Sequence, residues 1–225
     1  MILNNIPFEP DLDQLLKRLR IKAGSRRVDD LERMVGDAQA IAKPKALYKV
    51  SFIESRGDDY VVVDGVTFKS RVLCVNLAPV HRVFPYVATC GVELERWASS
   101  IDDLLQNFWA DTISEMALRS ATEALHVHLD ERYRPGKTSV MNPGSLPDWP
   151  LREQRPLFAL LGDPERDIGV QLLASLLMTP TKSVSGIRFS TEESFTSCQL
   201  CPRENCPSRR APYDATLYDE KYRGG

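Results

Sequence analysis

The sequence lacks a long apolar run and an excess of charge of either sign. No stretch approaches the 18 consecutive apolar residues expected of a membrane-spanning helix. The 29 Lys and Arg residues nearly balance the 31 Asp and Glu residues, so the chain has no basic footprint for nucleic acid or a membrane surface. The N-terminal residues lack the apolar core of a signal peptide. We therefore expect a cytoplasmic protein that binds neither nucleic acid nor membrane.

Familiar catalytic signatures are also missing. The sequence has no Gly-rich phosphate loop, no nucleophile elbow and no His-Glu-x-x-His pair. Hydrophobic residues make up 43% and charged residues 27% of the 225 residues, which is the composition of a globular domain. The chain is long enough to bury a core, but its motifs do not indicate a common hydrolase or nucleotide-binding enzyme.

The apolar pattern predicts a mixed order of helices and strands. Apolar residues at helical spacing predict one helix over residues 11–22, and another that begins after Ser25 and stops before Pro44. Apolar runs bounded by turn residues predict strands over 46–53, 60–63, 70–77 and 83–90. The Asp64-Gly65 pair predicts a hairpin. Because helices and strands do not alternate regularly, we expect an α+β fold with an antiparallel sheet.

The strongest helical pattern covers residues 101–131. At 1.5 Å per residue this helix would be about 45 Å long, enough to be the spine of the fold. Its predicted apolar stripe begins with Ile101, Leu104, Leu105, Phe108, Thr112, Met116 and Ala117. Residues 137–150 are rich in Pro and Gly and predict an irregular loop. A short helix from Leu151 and a last strand over Ser183–Ser190 are expected to follow.

Three of the five cysteines form a Cys-x-x-Cys-x-x-x-x-Cys pattern near the C-terminus, at Cys198, Cys201 and Cys206. Thiolates at this spacing can bind one metal ion, because the turn between them brings the sulfurs to one side. Three cysteines suit a [4Fe–4S] cluster with an open fourth position, whereas zinc would need a fourth protein ligand. We expect a main domain over residues 1–196 and a cysteine-bearing, metal-binding tail over 197–225.

Two motifs in order carry a family resemblance. The segment Asp167–Ser190 contains Ser-Val-Ser-Gly followed by Phe-Ser, and Pro143-Gly144 opens a Pro-Gly loop upstream of it. Together with the long helix, these motifs resemble the activation domain of cobalamin-dependent methionine synthase. The similarity runs from about Phe84 to Thr196.

The resemblance implies an S-adenosylmethionine site and a corrinoid partner. In the family this domain binds S-adenosylmethionine and docks on the cobalamin module to restore an oxidised cofactor. The resemblance places ligand contacts on Glu123 and on Asn142, Pro143, Gly144 and Ser145. The family has an Arg just before the Pro-Gly loop, where this chain has Val140, or Ser139 if the gap is placed differently. Since a bidentate Arg–carboxylate contact is strong, we expect S-adenosylmethionine to bind weakly or not at all.

Three functional hypotheses follow. The first is reductive reactivation or handling of a corrinoid methyltransferase protein, which carries the cobalamin, with the tail passing an electron to cobalt. The second is a non-catalytic docking module for a corrinoid protein, with a structural zinc in the tail. The third is an S-adenosylmethionine-binding enzyme with an unrelated substrate. Iron–sulfur absorbance would favour the first, and colourless zinc the second.

Overall fold

A computed structural model describes residues 1–22, 24–193, 195–206 and 209–223 of the chain. The helices are α1 (Leu12–Leu19), α2 (Arg26–Ile41), α3 (Arg71–Asn76), α4 (Val92–Ser99), α5 (Leu104–Tyr133), α6 (Gln154–Leu161) and α7 (Pro164–Ile168). The strands are β1 (Ile2–Leu3), β2 (Lys45–Tyr48), β3 (Ser51–Arg56), β4 (Tyr60–Val63), β5 (Val66–Lys69), β6 (Arg82–Thr89), β7 (Thr138–Met141), β8 (Gln171–Leu172), β9 (Met178–Thr179) and β10 (Ser183–Ser190). The predicted α+β class, with an antiparallel sheet and a long helix, is confirmed.

The chain divides into two structural units that do not follow the order of the sequence. The first consists of Met1–Leu47, Val87–His128 and Pro164–Val184. The second consists of Tyr48–Tyr86, Leu129–Asp163 and Ser185–Gly225. In the residues that the structure describes, no helix combines the length and the apolar character needed to cross a membrane.

Packed helices form the core of the first unit. Leu15 of α1, Leu31 of α2 and Leu94 of α4 are fully buried, as are Ile113 and Ala117 of α5. Asp11 caps α1, since its carboxylate accepts the Gln14 backbone N–H at 3.0 Å. The two helices predicted for the N-terminal region are therefore confirmed, and their apolar faces contribute to this core.

The spine helix is confirmed, but its first turn faces solvent. Asp103 sets its start, because its carboxylate accepts the Gln106 backbone N–H at 2.8 Å. Leu104 is 89% exposed and Phe108 is 57% exposed, whereas Trp109 is 3% exposed. The predicted apolar stripe is therefore wrong for Leu104, Leu105 and Phe108, which are exposed, and the buried face of α5 begins at Trp109.

The second unit contains an antiparallel sheet. Strand β3 pairs with β6 and β4, and β4 pairs with β5. The predicted hairpin between β4 and β5 is confirmed: Asp64 and Gly65 take φ angles of 42° and 78° between the paired residues Val63 and Val66. Two consecutive positive φ angles are what a tight two-residue hairpin turn requires.

The strand predicted over residues 70–77 is wrong, because this segment forms α3. Ser70 caps the helix, and its hydroxyl accepts the Leu73 backbone N–H at 2.9 Å. Val72, Leu73 and Cys74 are all buried. A helix that is buried on most sides has a continuous apolar sequence, so its periodicity resembles that of a buried strand.

The C-terminal tail belongs to the second unit and is fixed partly by packing. Tyr222 is 1% exposed and packs edge-on against Phe195, with 6.0 Å between the ring centroids. Its hydroxyl donates to the side-chain oxygen of Asn76 at 2.9 Å, and the Arg71 guanidinium donates to its carbonyl oxygen at 3.2 Å. The tail has few apolar residues, so its composition gave no sign that Tyr222 would anchor it. The boundary between residues 196 and 197 stays a prediction.

Candidate functional site

The Pro-Gly loop, residues 142–150, is built from its own backbone hydrogen bonds. The Ser145 N–H donates to the Asn142 carbonyl oxygen at 3.1 Å, and the Gly144 N–H donates to the Trp149 carbonyl oxygen at 2.8 Å. Gly144 has a φ of 85°, which residues with a side chain adopt at a cost. The loop therefore has one defined path, and its glycine serves the turn.

Buried anchors hold this loop while its tip faces outward. Pro143 and Trp149 are buried, whereas Gly144 and Ser145 are exposed. The Asp148 carboxylate accepts the Val72 backbone N–H at 2.9 Å and the Ser70 hydroxyl, which ties the loop to the N-terminus of α3. The loop therefore presents exposed backbone from a fixed base, which suits a recognition surface.

Asn142 joins the Pro-Gly loop to the Ser-Val-Ser-Gly segment of β10. Its amide nitrogen donates to the Ser185 carbonyl oxygen at 2.7 Å and to the Tyr86 hydroxyl at 3.3 Å. A Cβ on Gly186 would lie 2.5 Å from that amide nitrogen and 2.6 Å from the Met141 carbonyl oxygen. The glycine therefore allows the strand and the loop to approach closely, and the two motifs meet at one place.

Tyr86 lies at this junction in its protonated form. Burial raises the pKa of its hydroxyl, although the hydrogen bond from Asn142 and the charges of Arg210 and Arg188 act in the opposite direction. The phenol therefore serves as a hydrogen-bonding group rather than as an anion.

Arg188 of β10 is a buried cation that the sequence reading missed. It is 5% exposed, and its Nη2 donates to both carboxylate oxygens of Asp130, at 2.9 and 3.0 Å. The same nitrogen donates to the Thr138 hydroxyl at 2.8 Å. Arg188 is the cross-strand partner of Val140, one of the two positions that the resemblance aligns with an Arg. Arg188 is therefore the cation beside Val140 in the β7–β10 pair, and its guanidinium is already bonded to Asp130 and Thr138.

The loop also lines a concave cavity of about 400 Å³ in the second unit. The C-terminal tail supplies much of the opposite wall. The lining includes Leu146, Pro147 and Asp148 from the loop and Leu200, Tyr213 and Tyr218 from the tail. The loop and the tail therefore share one surface of the second unit.

Glu123 lies on α5 in the first unit, with an exposed side chain. An exposed helical Glu is usually only solvated. The ligand contacts predicted for Glu123 and for Asn142, Pro143, Gly144 and Ser145 stay predictions.

The three tail cysteines are half-buried free thiols. Within the described ranges, no group of three or more His, Cys, Asp or Glu side chains is placed to hold a metal ion. Burial opposes ionisation of Cys198, but the backbone N–H groups of Arg210 and Ala211 and the Arg210 charge outweigh it and hold the pKa of this thiol below its ordinary value. The metal centre stays a prediction.

Arg209 has contacts that the sequence did not predict, although its positive charge lies close to the cysteines in the sequence. Its guanidinium donates to the carbonyl oxygens of Cys198 at 3.1 Å, of Cys201 at 3.2 Å and of Ala211 at 3.2 Å. Its backbone N–H donates to the Cys206 carbonyl oxygen at 3.1 Å. One arginine therefore contacts the backbone of all three tail cysteines. The sequence shows only that Arg209 lies three residues after Cys206, which does not reveal these contacts.

Comparison with known proteins gives a likeness in fold. No family model matches the chain, and no curated protein matches its sequence. Among solved structures, the fold is similar to the crystal structure of the MetH reactivation domain bound to AdoHcy, with a TM-score of 0.61 and 15% sequence identity. The match covers 87% of this chain and 79% of that chain. At this identity the likeness shows a shared fold.

Proposed function

We propose that this protein handles or reactivates a corrinoid protein, and that it docks through the Pro-Gly loop and the adjoining face of the tail. The fold shared with the MetH reactivation domain supports this proposal. The partner is a corrinoid-binding protein or methyltransferase component and carries the cobalamin. This chain supplies the surface that recognises it.

The observation that carries the proposal is the hydrogen bond from Asn142 to Ser185. It connects the two sequence motifs of the resemblance at 2.7 Å, although they are more than 40 positions apart. The exposed tip at Gly144 and Ser145 stands beside a cavity of about 400 Å³. An exposed tip on a fixed base loses little conformational freedom on binding, which favours association.

We further propose that S-adenosylmethionine binds this chain weakly. The MetH reactivation domain is bound to AdoHcy in its crystal structure. The resemblance aligns the family Arg with Val140 or Ser139, and Arg188, the cross-strand neighbour of Val140, is engaged with Asp130. A ligand carboxylate would have to compete with Asp130 for that buried guanidinium. Docking to a partner does not depend on this cation.

Capture from a corrinoid-producing lysate tests the proposal. The tagged, folded chain should retain a protein whose eluate shows corrinoid absorbance. A variant with Ser145→Arg at the exposed loop tip should retain much less. Ser55→Arg, at another exposed serine of the second unit, is the matched control and should retain the same amount. If the folded chain retains no corrinoid, or if both variants retain as much as the wild type, the proposal is wrong.

A further inference from the structure

Cys198 and Cys201 lie on one tight turn. The Cys201 backbone N–H donates to the Cys198 carbonyl oxygen at 3.3 Å. A turn closed in this way holds the first and fourth Cα atoms within about 7 Å of each other, and disulfides span Cα separations of about 4.4–6.8 Å. Both thiols are free and half-buried, so small reagents can reach them.

Arg209 holds the backbone of this turn independently of the sulfur atoms. Its Nη1 donates to the Cys198 carbonyl oxygen and its Nη2 to the Cys201 carbonyl oxygen. A planar guanidinium fixes two acceptors at once, because its donors have a rigid geometry. The turn can therefore keep its shape whether the two sulfurs are thiols or are bonded to each other.

We propose that Cys198 and Cys201 form a thiol–disulfide exchange pair, with Arg209 as the residue that positions it. The oxidant is a low-molecular-weight disulfide. One cysteine thiolate attacks it and releases one thiolate of the reagent, which leaves a mixed disulfide on the chain. The second cysteine attacks that mixed disulfide, loses its proton to solvent, and releases the second thiolate. Two electrons pass from the two cysteines to the reagent. This pair does not depend on a corrinoid partner.

The test is a redox titration of the full, reduced chain in glutathione buffers. After each equilibration the chain is unfolded in denaturant, and the remaining thiols are alkylated and mapped by peptide mass. The expected product is an intramolecular Cys198–Cys201 disulfide, with Cys206, Cys74 and Cys90 alkylated. Cys206→Ser should give the same disulfide, whereas Cys201→Ser should stop at a mixed disulfide on Cys198.

The role of Arg209 is tested by its effect on the equilibrium. Arg209→Gln should make the disulfide about tenfold harder to form, which raises the reduction potential by about 30 mV. Arg203→Gln is the control, since that exposed side chain lies in the same segment, and it should leave the potential unchanged. A potential unchanged by Arg209→Gln would remove Arg209 from the proposal.

Two results would overturn the pair itself. The first is a stable intramolecular disulfide that includes Cys206, or none at all in oxidising buffer. The second is stoichiometric iron or zinc bound through all three cysteines in the anaerobically purified chain. In that case the thiols would be metal ligands, as the sequence spacing first suggested.

Discussion

The side-chain amide of Asn142 donates a hydrogen bond to the Ser185 carbonyl oxygen at 2.7 Å. This contact fixes the Pro-Gly loop against β10. It is possible only because residue 186 is glycine, since a Cβ there would lie 2.5 Å from the same amide nitrogen. The loop and the strand therefore depend on each other for their conformations.

Gly186→Ala should destabilise the protein by about 1–3 kcal/mol, the usual cost of overpacking a close contact. The new methyl group would meet the Met141 carbonyl oxygen at 2.6 Å, and backbone cannot move aside as a flexible side chain can. Urea unfolding measures the loss. The control is Gly36→Ala in α2, where a Cβ meets nothing within 4 Å. This variant should stabilise the protein by up to about 1 kcal/mol, because alanine favours a helix more than glycine does. Equal stabilities for the two variants would contradict the close approach.

Tyr222→Ala should detach the tail. This side chain is 1% exposed and its hydroxyl donates to Asn76, and loss of a buried aromatic residue costs about 3–5 kcal/mol. Hydrogen exchange in residues 197–223 should become much faster, while exchange in α2 stays as in the wild type. Tyr218→Ala is the control, because Tyr218 is 41% exposed. Unchanged exchange in the tail after Tyr222→Ala would show that Arg209 and its neighbours hold the segment without this anchor.

Alkylation should separate the cysteines by their environment. Burial raises the pKa of the Cys90 thiol to about 12 and also raises the pKa of Cys74. At pH 9, about one Cys90 in a thousand is then ionised in the folded protein, and the thiolate is the reactive form. In the unfolded chain the Cys90 thiol ionises at its ordinary pKa, near pH 9. The free energy of unfolding should therefore fall as the pH rises from 9 towards 12, because the unfolded chain loses this proton first. Iodoacetamide at pH 8 should modify Cys198 well before Cys90; comparable rates in the folded protein would contradict this account.

S-adenosylmethionine should bind weakly. A charge-assisted hydrogen bond contributes about 1.5–3 kcal/mol, and the positions that the resemblance aligns with an Arg hold Val140 and Ser139 in this chain. Calorimetry should therefore show a dissociation constant well above the micromolar range, and Val140→Arg should tighten it. A low-micromolar constant for the wild-type chain would mean that another group meets the ligand carboxylate. Glu123→Gln would then be the next variant to examine.

The elements with clear periodicity could be predicted from the sequence. The spine helix and β10 follow from apolar spacing, and the hairpin follows from Asp64-Gly65. Helix α3 could not be predicted, since a short buried helix shows no polar face. The exposed first turn of α5 was also hidden, because Leu104 and Phe108 have the same apolar character as buried residues.

The site was predictable only in part. The Pro-Gly loop was recognisable from its residues, but its union with β10 depends on one side-chain hydrogen bond that spacing does not reveal. Arg209 and Tyr222 contact residues or carbonyl oxygens that only the folded chain brings near. Both residues belong to a segment with few apolar side chains, which the sequence alone does not predict to pack against a core.

The most direct measurement of the central claim is anaerobic titration of the purified chain with the corrinoid protein that it captures. We predict a specific complex that Ser145→Arg weakens at least about tenfold, or about 1.4 kcal/mol, and that Ser55→Arg leaves unchanged. Failure of the folded chain to bind any corrinoid protein, or an affinity that Ser145→Arg does not alter, would contradict docking through the Pro-Gly loop.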